Sequence, residues 1–218
     1  MTSEKQISFD IEKSFMNNCC DVVLGTDEAG RGCLVGPVVA ACVWINQEKF
    51  PQDLLKRIKD SKKISEKNRE EIFTELSKLP EDIFMYEYQD ISASVIDEIN
   101  ILQASLLAMK TAYEKLLPRL KNKPVMTLVD GNKSPKIEPC YTVVSGDALS
   151  YSVAAASIIA KVQKDRLLNE IGKQYPEYHF EKNKGYGTKT HMEALKKYGA
   201  TPHHRKSYAP VKEIIQTL

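Results

Sequence analysis

Short apolar runs rich in β-branched residues alternate along the chain with longer stretches of helical periodicity. The runs predict strands at residues 21–26, 38–45, 83–88, 125–129 and 141–144, and most are bounded by Asp, Gly or Pro. The first two runs are joined by a connection containing Gly30, Gly32 and Gly36. A glycine-rich connection between adjacent strands predicts that this pair is antiparallel.

Helical spacing predicts helices over residues 65–79, 94–116 and 149–171, and a short one that Gly199 ends. Ser94 with Asp97, and Thr190 with Glu193, have capping-box spacing. The second helix carries an apolar stripe that indicates either a coiled-coil seam or, more often in a compact chain, a helix packed on a sheet. The stripe consists of Val95, Ile99, Leu102, Leu106, Met109, Tyr113 and Leu116.

These elements predict an α/β fold with a mixed sheet that starts antiparallel. We expect one domain over residues 1–218, with an N-terminal extension at about 1–20 and a basic C-terminal segment at about 181–218. The small residues at 154–160 predict that the third helix lies close to the sheet.

The composition excludes several classes of protein. Of 218 residues, 42% are hydrophobic and 28% charged, which is typical of globular domains and unlike disordered or fibrous chains. No apolar run approaches the roughly 18 residues of a membrane span, and the first 20 residues lack the apolar core of a secretion signal. The five cysteines follow no disulfide or zinc pattern, so we expect reduced thiols in a cytoplasmic protein.

Charge is distributed unevenly although the net value is only +2. Residues 181–212 hold eight Lys or Arg against two Glu, whereas the rest of the chain is slightly acidic. The basic segment indicates contact with an anionic polymer, and the plain alternative is a solvated basic surface.

Acidic residues stand at the ends of three predicted strands. They are Asp27 and Glu28, then Asp130, then Asp147. Strand ends at one edge of a sheet converge, and buried carboxylates without basic partners favour a hard divalent cation such as Mg²⁺ or Mn²⁺. Any one of them, Asp130 in D-G-N above all, is also an ordinary turn residue.

Three further motifs contain residue types that could bind a ligand. The glycine run 30–36 is rejected as a dinucleotide fingerprint, because a strand follows it where a helix is required; instead, Arg31 between glycines suits phosphate. Tyr186 in G-Y-G is either a surface turn residue or a stacking platform beside Lys182, Lys184 and Lys189. His203-His204-Arg205 lacks zinc-ligand spacing, which leaves phosphate contact or packing. Asp165 is expected to face solvent or an Arg.

A series of short motifs follows in a set order along the chain. The first is T-D-E-A-G-R-G at residues 26–32 with G-P-V-V-A-A at 36–41. The others are D-S-K-K at 60–63, I-D-E-I-N-I-L at 96–102, V-D-G-N at 129–132, G-D at 146–147, A-A-S-I-I-A-K-V at 155–162, G-Y-G-T at 185–188 and H-H-R at 203–205. Each motif is modest, but their order over about residues 22–212 is specific and resembles that of type 2 ribonuclease H, the bacterial ribonuclease HII family.

The resemblance implies a ribonuclease H-like fold and an endonuclease that cuts the RNA strand of RNA–DNA hybrids and incises at single ribonucleotides in duplex DNA. It implies that Asp27, Glu28, Asp130 and Asp147 are catalytic and hold Mg²⁺ or Mn²⁺. The implied substrate-binding residues are Gly30, Arg31, Gly32, Lys62, Lys182, Lys184 and Tyr186. Ser145 departs from the pattern, since the family often has Lys there.

Two other functions remain as alternatives. A related metal-dependent DNA nuclease or resolvase of the same fold would be indifferent to the ribose 2′-OH. A catalytically inert nucleic-acid-binding protein would lack one of the four acids, and all four positions are filled. We expect a monomer that acts in the cytoplasm, in DNA replication and repair, without membrane contact.

Overall fold

The computed structural model describes residues 7–217 and contains one five-stranded sheet in this part of the chain. The strands are β1 (Val22–Ala29), β2 (Val38–Ile45), β3 (Phe84–Ile91), β4 (Val125–Asp130) and β5 (Cys140–Val143). Their order across the sheet is β3-β2-β1-β4-β5. β1, β2 and β3 pair antiparallel, whereas β4 is parallel to β1 and β5 is parallel to β4. The predicted mixed sheet with an antiparallel start is confirmed.

Eight helices surround this sheet within the described residues. They are α1 (Asp10–Met16), α2 (Gln52–Leu55), α3 (Glu66–Leu76), α4 (Ala93–Leu116), α5 (Tyr151–Gln174), α6 (Phe180–Asn183), α7 (Lys189–Tyr198) and α8 (Ala209–Thr217). Within residues 7–217, none of the helices combines the length and apolar character that a bilayer span requires.

The two longest helices cover opposite faces of the sheet. Side chains alternate between faces along a strand. Ala41 and Val43 of β2 therefore pack with the small residues of α5, and Ala40 and Cys42 pack with α4. At Gly25 a Cβ atom would lie only 2.3 Å from the backbone of Ser152, so β1 and α5 approach as closely as predicted.

The predicted start and inward face of α4 are wrong. Ser92, not Ser94, caps the helix by accepting the Val95 N–H at 3.4 Å, and Asp97 instead accepts N–H groups of the C-terminal segment. Asn100 has a φ of 66°, which interrupts the helix and changes the face that follows. In the second half, small side chains let the helix lie near the sheet. The buried residues there are Ala104, Ser105, Ala108, Met109, Ala112 and Leu116, so only Met109 and Leu116 of the predicted stripe are buried.

The beginning of α7 also differs from the prediction. Thr188 caps it by accepting the His191 N–H at 3.3 Å, two residues before Thr190. Gly199, with a φ of 80°, ends the helix as predicted.

The N-terminal segment packs on the domain. Glu12 of α1 is 1% exposed, and one of its carboxylate oxygens accepts hydrogen bonds from the Ser150 hydroxyl at 2.6 Å and from the Ser152 N–H at 3.1 Å. This carboxylate lies at the N-terminus of α5, where a negative charge is favourable. α1 is thereby attached to the helix that covers one face of the sheet.

Candidate active site

The carboxyl ends of β1 and β4 lie side by side and carry three of the four predicted acids. Asp27 and Glu28 are near the end of β1, and Asp130 is the last residue of β4. The two strands are parallel neighbours, so their ends meet at one edge of the sheet. All three side chains line one cavity of about 260 Å³.

Asp147 lies beside this cavity and does not line it. It is on a short 3₁₀ turn, Gly146–Ala148, after β5, and it faces a neighbouring depression that Asp60 shares. The turn is joined to the first group of acids because Gly146 N–H donates to Oδ1 of Asp130 at 2.6 Å. Burial, followed by the charges of Asp130 and Asp60, raises the pKa of Asp147, so the fourth acid is electrostatically part of the cluster.

Burial and repulsion from neighbouring carboxylates both raise the pKa values of Asp27 and Glu28. Burial, followed by the charges of Glu28 and Asp130, raises the pKa of Asp27 well above its usual range. Burial also raises the pKa of Glu28, with Arg31 opposing the shift from a distance of 3.2 Å. The cluster therefore holds its negative charge at a cost in free energy, which a cation would reduce.

The chemistry of these donors fits a hard divalent cation. All four acids offer oxygen atoms, which Mg²⁺ and Mn²⁺ prefer. Within residues 7–217, no three Asp, Glu, His or Cys side chains are gathered tightly enough to enclose an ion. The carboxylates contact nearby donors instead, as Asp130 does with Gly146 and as Asp27 does with the Glu28 N–H at 2.7 Å.

The Gly30-Arg31-Gly32 loop forms another wall of the cavity. Gly30 has a φ of 98°, and a Cβ there would lie 3.0 Å from the Lys164 side chain and 3.1 Å from the Pro37 carbonyl oxygen. The position therefore requires glycine, and the loop presents backbone rather than side chain to the cavity. The strand that follows the loop confirms that this is not a dinucleotide-binding turn.

The buried side chain of Arg205 is hydrogen-bonded to the backbone of this loop. Its guanidinium is fully buried and donates to the carbonyl oxygens of Arg31 at 2.9 Å, Gly36 at 3.0 Å and Pro37 at 3.1 Å. The H-H-R motif therefore has a packing role at Arg205, one of the two interpretations that the sequence left open. An arginine suits this task because its fixed planar donors match several acceptors at once.

A second glycine loop, Gly185-Tyr186-Gly187, reaches the same cavity through the side chain of Tyr186. Its ring lines the cavity and is 46% exposed, and a Cβ built on Gly32 would lie 3.7 Å from it. The Lys164 ammonium lies 5.5 Å from the ring centroid. The structure thus brings Gly30, Arg31, Gly32, Lys62 and Tyr186 together with three acids, although these residues are far apart in sequence.

Lys182 and Lys184, the other predicted substrate contacts, do not line the cavity. Lys182 is exposed on α6. The ammonium of Lys184 is already paired with Glu66 at 2.7 Å and contacts Asn169 at 3.2 Å. Of the two, Lys182 has its charge more available to a phosphate.

Sequence reasoning missed two residues of α5 that line the cavity, Ser157 and Lys161. Their spacing of four places them on one face of the helix. Burial, followed by the charge of Lys164, lowers the pKa of Lys161. The signal was present in the A-A-S-I-I-A-K-V motif, where a Ser and a Lys interrupt an apolar helix at helical spacing.

Asp165 belongs to a buried ion cluster behind the cavity. The expectation that it faces solvent is wrong. The expected Arg partner is present, but two lysines are closer to it. It is 3% exposed and contacts Lys164 at 2.8 Å, Lys161 at 2.9 Å and Arg69 at 3.5 Å. Lys164 also donates to the Lys184 carbonyl oxygen at 3.0 Å, which links α5 to the loop that carries Tyr186.

The mixed sheet, its two covering helices and the acids at the ends of β1 and β4 define a ribonuclease H-like enzyme. The model of the ribonuclease HII family matches residues 24–211. A ribonuclease HII of Paramagnetospirillum magneticum is 46% identical over 193 residues, covering 88% of this chain and 92% of that protein. A ribonuclease HII of Caldicellulosiruptor bescii is 44% identical and covers 94% and 95% of the two chains. The chain therefore belongs to the ribonuclease HII family, and it is a ribonuclease H.

Solved structures agree with this assignment. The ribonuclease H2 from Pyrococcus horikoshii superposes with a TM-score of 0.67 at 27% identity, covering 90% of this chain and 98% of that one. A Bst-RNase HIII in complex with Mn²⁺ superposes with a TM-score of 0.70, covering 90% and 70% of the two chains, and at 14% identity it supports the fold alone.

Proposed function

We propose that this ribonuclease H, besides cutting the RNA strand of RNA–DNA hybrids, incises duplex DNA on the 5′ side of a single embedded ribonucleotide. The products would carry 3′-hydroxyl and 5′-phosphate ends. The observation that carries the proposal is the cavity that holds Asp27, Glu28 and Asp130 on one side and the two glycine loops on the other. The proposed hydrolytic centre and the proposed surface for one sugar would thus share one small volume.

The four carboxylates would hold Mg²⁺ or Mn²⁺. Bound as a pair, such ions supply an activated water and stabilise the leaving oxygen. Asp27 would bind from within the sheet, Glu28 and Asp130 from the rim, and Asp147 from the turn beside Asp130. The raised pKa values of Asp27, Glu28 and Asp147 are consistent with this role, because a cation would offset the cost of burying negative charge that raises them.

Recognition of the ribonucleotide falls to the two loops. The 2′-OH is the one group that distinguishes the target sugar from its deoxy neighbours. Gly30 and Gly32 let the backbone approach that hydroxyl without obstruction. Lys62 and Arg31 would contact the adjacent phosphates, Arg31 with the half of its side chain that stays exposed beside Glu28. The exposed ring of Tyr186 provides a flat surface against the neighbouring sugar.

The direct test is incubation with matched duplexes that contain no ribonucleotide, one ribonucleotide, or a complete RNA strand. Each is assayed with Mg²⁺, Mn²⁺ or EDTA. We expect incision of the second and third duplexes, loss of activity in EDTA, and an intact all-DNA duplex. Asp130→Asn is the matched control, since it keeps the side-chain shape and removes the charge.

The arms of this experiment separate the alternatives. Equal cutting of the all-DNA duplex would favour the resolvase-like function. A 2′,3′-cyclic phosphate product would show that the 2′-OH attacks and would overturn hydrolysis by water. Full activity of Asp130→Asn would remove that residue from the site. The proposal also has the enzyme acting in the cytoplasm, in replication and repair. It has the active species as a monomer, and light scattering of that species would check its mass.

A further inference from the structure

Two buried histidines lie behind the loop that carries Tyr186. His191 of α7 is 0% exposed and His204, from the segment before α8, is 1% exposed. Their Nε2 atoms are 3.0 Å apart, close enough for a hydrogen bond. Two neutral imidazoles can share such a bond only if one is protonated at Nε2 and the other is not.

The groups at the two ends determine which histidine donates. The Thr201 backbone N–H can only donate, and it lies 2.9 Å from Nδ1 of His204, so that atom has no proton. The proton of neutral His204 is therefore on Nε2 and points at Nε2 of His191. His191 must then carry its proton on Nδ1, which lies 2.9 Å from the Tyr186 carbonyl oxygen, a group that can only accept.

The hydrogen bonds thus run in one direction, from Thr201 to His204, to His191 and to the Tyr186 carbonyl. We propose that this series of hydrogen bonds is a positioning relay. In it His191 and His204, as two specific neutral tautomers, fix the backbone of Tyr186 for recognition of the ribonucleotide. The proposal extends the proposed function, because it assumes that Tyr186 contacts substrate.

The surroundings of the pair keep it neutral. The rings of Tyr178 and Phe180 pack against both imidazoles, with centroid distances between 5.3 and 6.2 Å. Burial lowers the pKa of His191, and burial together with His191 and His203 lowers the pKa of His204 to about 3. Protonation of His191 at Nε2 would set two N–H groups against each other at the Nε2 contact, and protonation of His204 at Nδ1 would set its new N–H against the Thr201 N–H.

Other bonds hold the loop before the Tyr186 carbonyl. Lys164 donates to the Lys184 carbonyl oxygen at 3.0 Å, and the Leu34 N–H donates to the Gly185 carbonyl oxygen at 2.8 Å. Lys184 and Gly185 just before it both have a positive φ, and nearly half of the Tyr186 side chain is exposed. Its carbonyl also accepts the Thr188 N–H at 2.8 Å, but that contact lies within the loop itself. The bond from His191 is the one that connects this carbonyl to the buried C-terminal segment.

The first measurement is the ¹⁵N NMR spectrum of the imidazoles in the unmodified protein near pH 7. We expect His204 to be protonated at Nε2 only and His191 at Nδ1 only. The same tautomer in both rings, or a charged ring in either, would overturn the relay. This result depends neither on activity nor on the folding of a variant.

The second measurement is kinetic and uses His191→Phe, which keeps a ring but removes the donor. We expect a loss of about 2- to 10-fold on the single-ribonucleotide duplex, the worth of one hydrogen bond. The loss should vanish in a Tyr186→Ala background, since the relay acts through Tyr186. His191→Asn, which retains a donor near the Nδ1 position, should recover most of the rate. An equal loss in both backgrounds would overturn the positioning role.

A packing control and a spectroscopic signal complete the test. Phe180→Leu disturbs the same aromatic cluster without touching the relay, and its effect should be equal in both Tyr186 backgrounds. The Tyr186 ring signals should shift or broaden in His191→Phe and not in His191→Asn. If Tyr186→Ala leaves activity unchanged, the substrate role of Tyr186 fails, and these ring signals still decide whether the relay positions it.

Discussion

Asp27 and Asp165 are both buried, at 5% and 3% exposed, yet their surroundings shift their pKa values in opposite directions. Burial and two neighbouring carboxylates raise the pKa of Asp27. Burial would also raise the pKa of Asp165, but Lys164 and Lys161 outweigh it and lower the pKa. Asp165 is paired with cations of the chain itself, whereas the charges that act on Asp27 are those of other carboxylates.

This difference distinguishes the candidate active site around Asp27 from the buried ion cluster around Asp165 that lies behind it. Each charge in the ion cluster around Asp165 has a partner, so removing one charge leaves another buried and uncompensated. The raised pKa of Asp27 instead means that its ionisation opposes folding. The first two predictions test this contrast by removing one charge from each region.

The largest expected effect is on catalysis in Asp27→Asn. Loss of the ligand charge removes several kcal/mol of transition-state stabilisation, which corresponds to a rate loss of ~10³-fold or more. Single-turnover cleavage of a hybrid duplex measures it. A rate within a few-fold of the unmodified enzyme would take Asp27 out of the site.

The same variant should not lose stability in EDTA. Because the folded-state pKa of Asp27 is raised above its ordinary value of 3.8, its ionisation opposes folding, and the free energy of unfolding falls as pH rises through that raised pKa. Asp27→Asn should therefore unfold at a higher temperature than the unmodified protein at pH 7, and this advantage should disappear below pH 3.8. A large drop in Tm at pH 7 would contradict the comparison.

The next effect is on stability, in Asp165→Asn. Removing the anion leaves buried cations unpaired, which costs about 3–5 kcal/mol in comparable buried pairs. Denaturant unfolding at pH 7 measures it. Since the pKa of Asp165 is lowered, its contribution is present above about pH 3.8 and is lost as pH falls below that value. Asp82→Asn, which breaks an exposed pair with Lys49, is the matched control and should change little.

The sequence was sufficient to predict the sheet and its acids, because both are local signals. The second strand has the predicted bounds, residues 38–45, since it is a continuous apolar run, half of it β-branched, that begins after Pro37. Asp27 and Asp130 were predictable because each follows apolar strand residues directly. The inward face of α4 was not predictable from spacing, because the positive φ of Asn100 changes the face in the middle of a periodic pattern.

The support of the site was not predictable for a different reason. Arg205 donates to the carbonyls of Gly36 and Pro37, about 170 residues earlier, and His191 meets His204 across a loop. A motif such as H-H-R shows that polar residues are present, but their acceptors are backbone atoms that only the tertiary fold brings near. For Asp165 an Arg partner was expected, but its burial was not, because only the tertiary fold brings Arg69, 96 residues away, to the side of α5 that carries Asp165.

A smaller effect is expected for Tyr186→Ala. Aromatic stacking on nucleic acid is worth about 1–3 kcal/mol per base, and a contact to a sugar should be near the low end. Cleavage of the single-ribonucleotide duplex should fall more than cleavage of a continuous hybrid, which offers many registers. Mg²⁺ affinity, measured by calorimetry, should not change. Weakened Mg²⁺ binding would mean that Tyr186 supports the acids and not the substrate.

The smallest effect separates two lysines that look equivalent in sequence. Lys182 is exposed, whereas Lys184 is paired with Glu66 at 2.7 Å and its side chain is only 16% exposed. A lysine that contacts a phosphate adds about one unit to the slope of log affinity against log salt. Lys182→Gln should therefore reduce that slope by about one, as measured by fluorescence anisotropy with a labelled hybrid in Ca²⁺. Lys184→Gln should leave the slope nearly unchanged, because the charge it removes is already neutralised by a carboxylate.

Equal reductions would show that substrate displaces Glu66 from Lys184, and no reduction in either variant would place the nucleic acid away from α6.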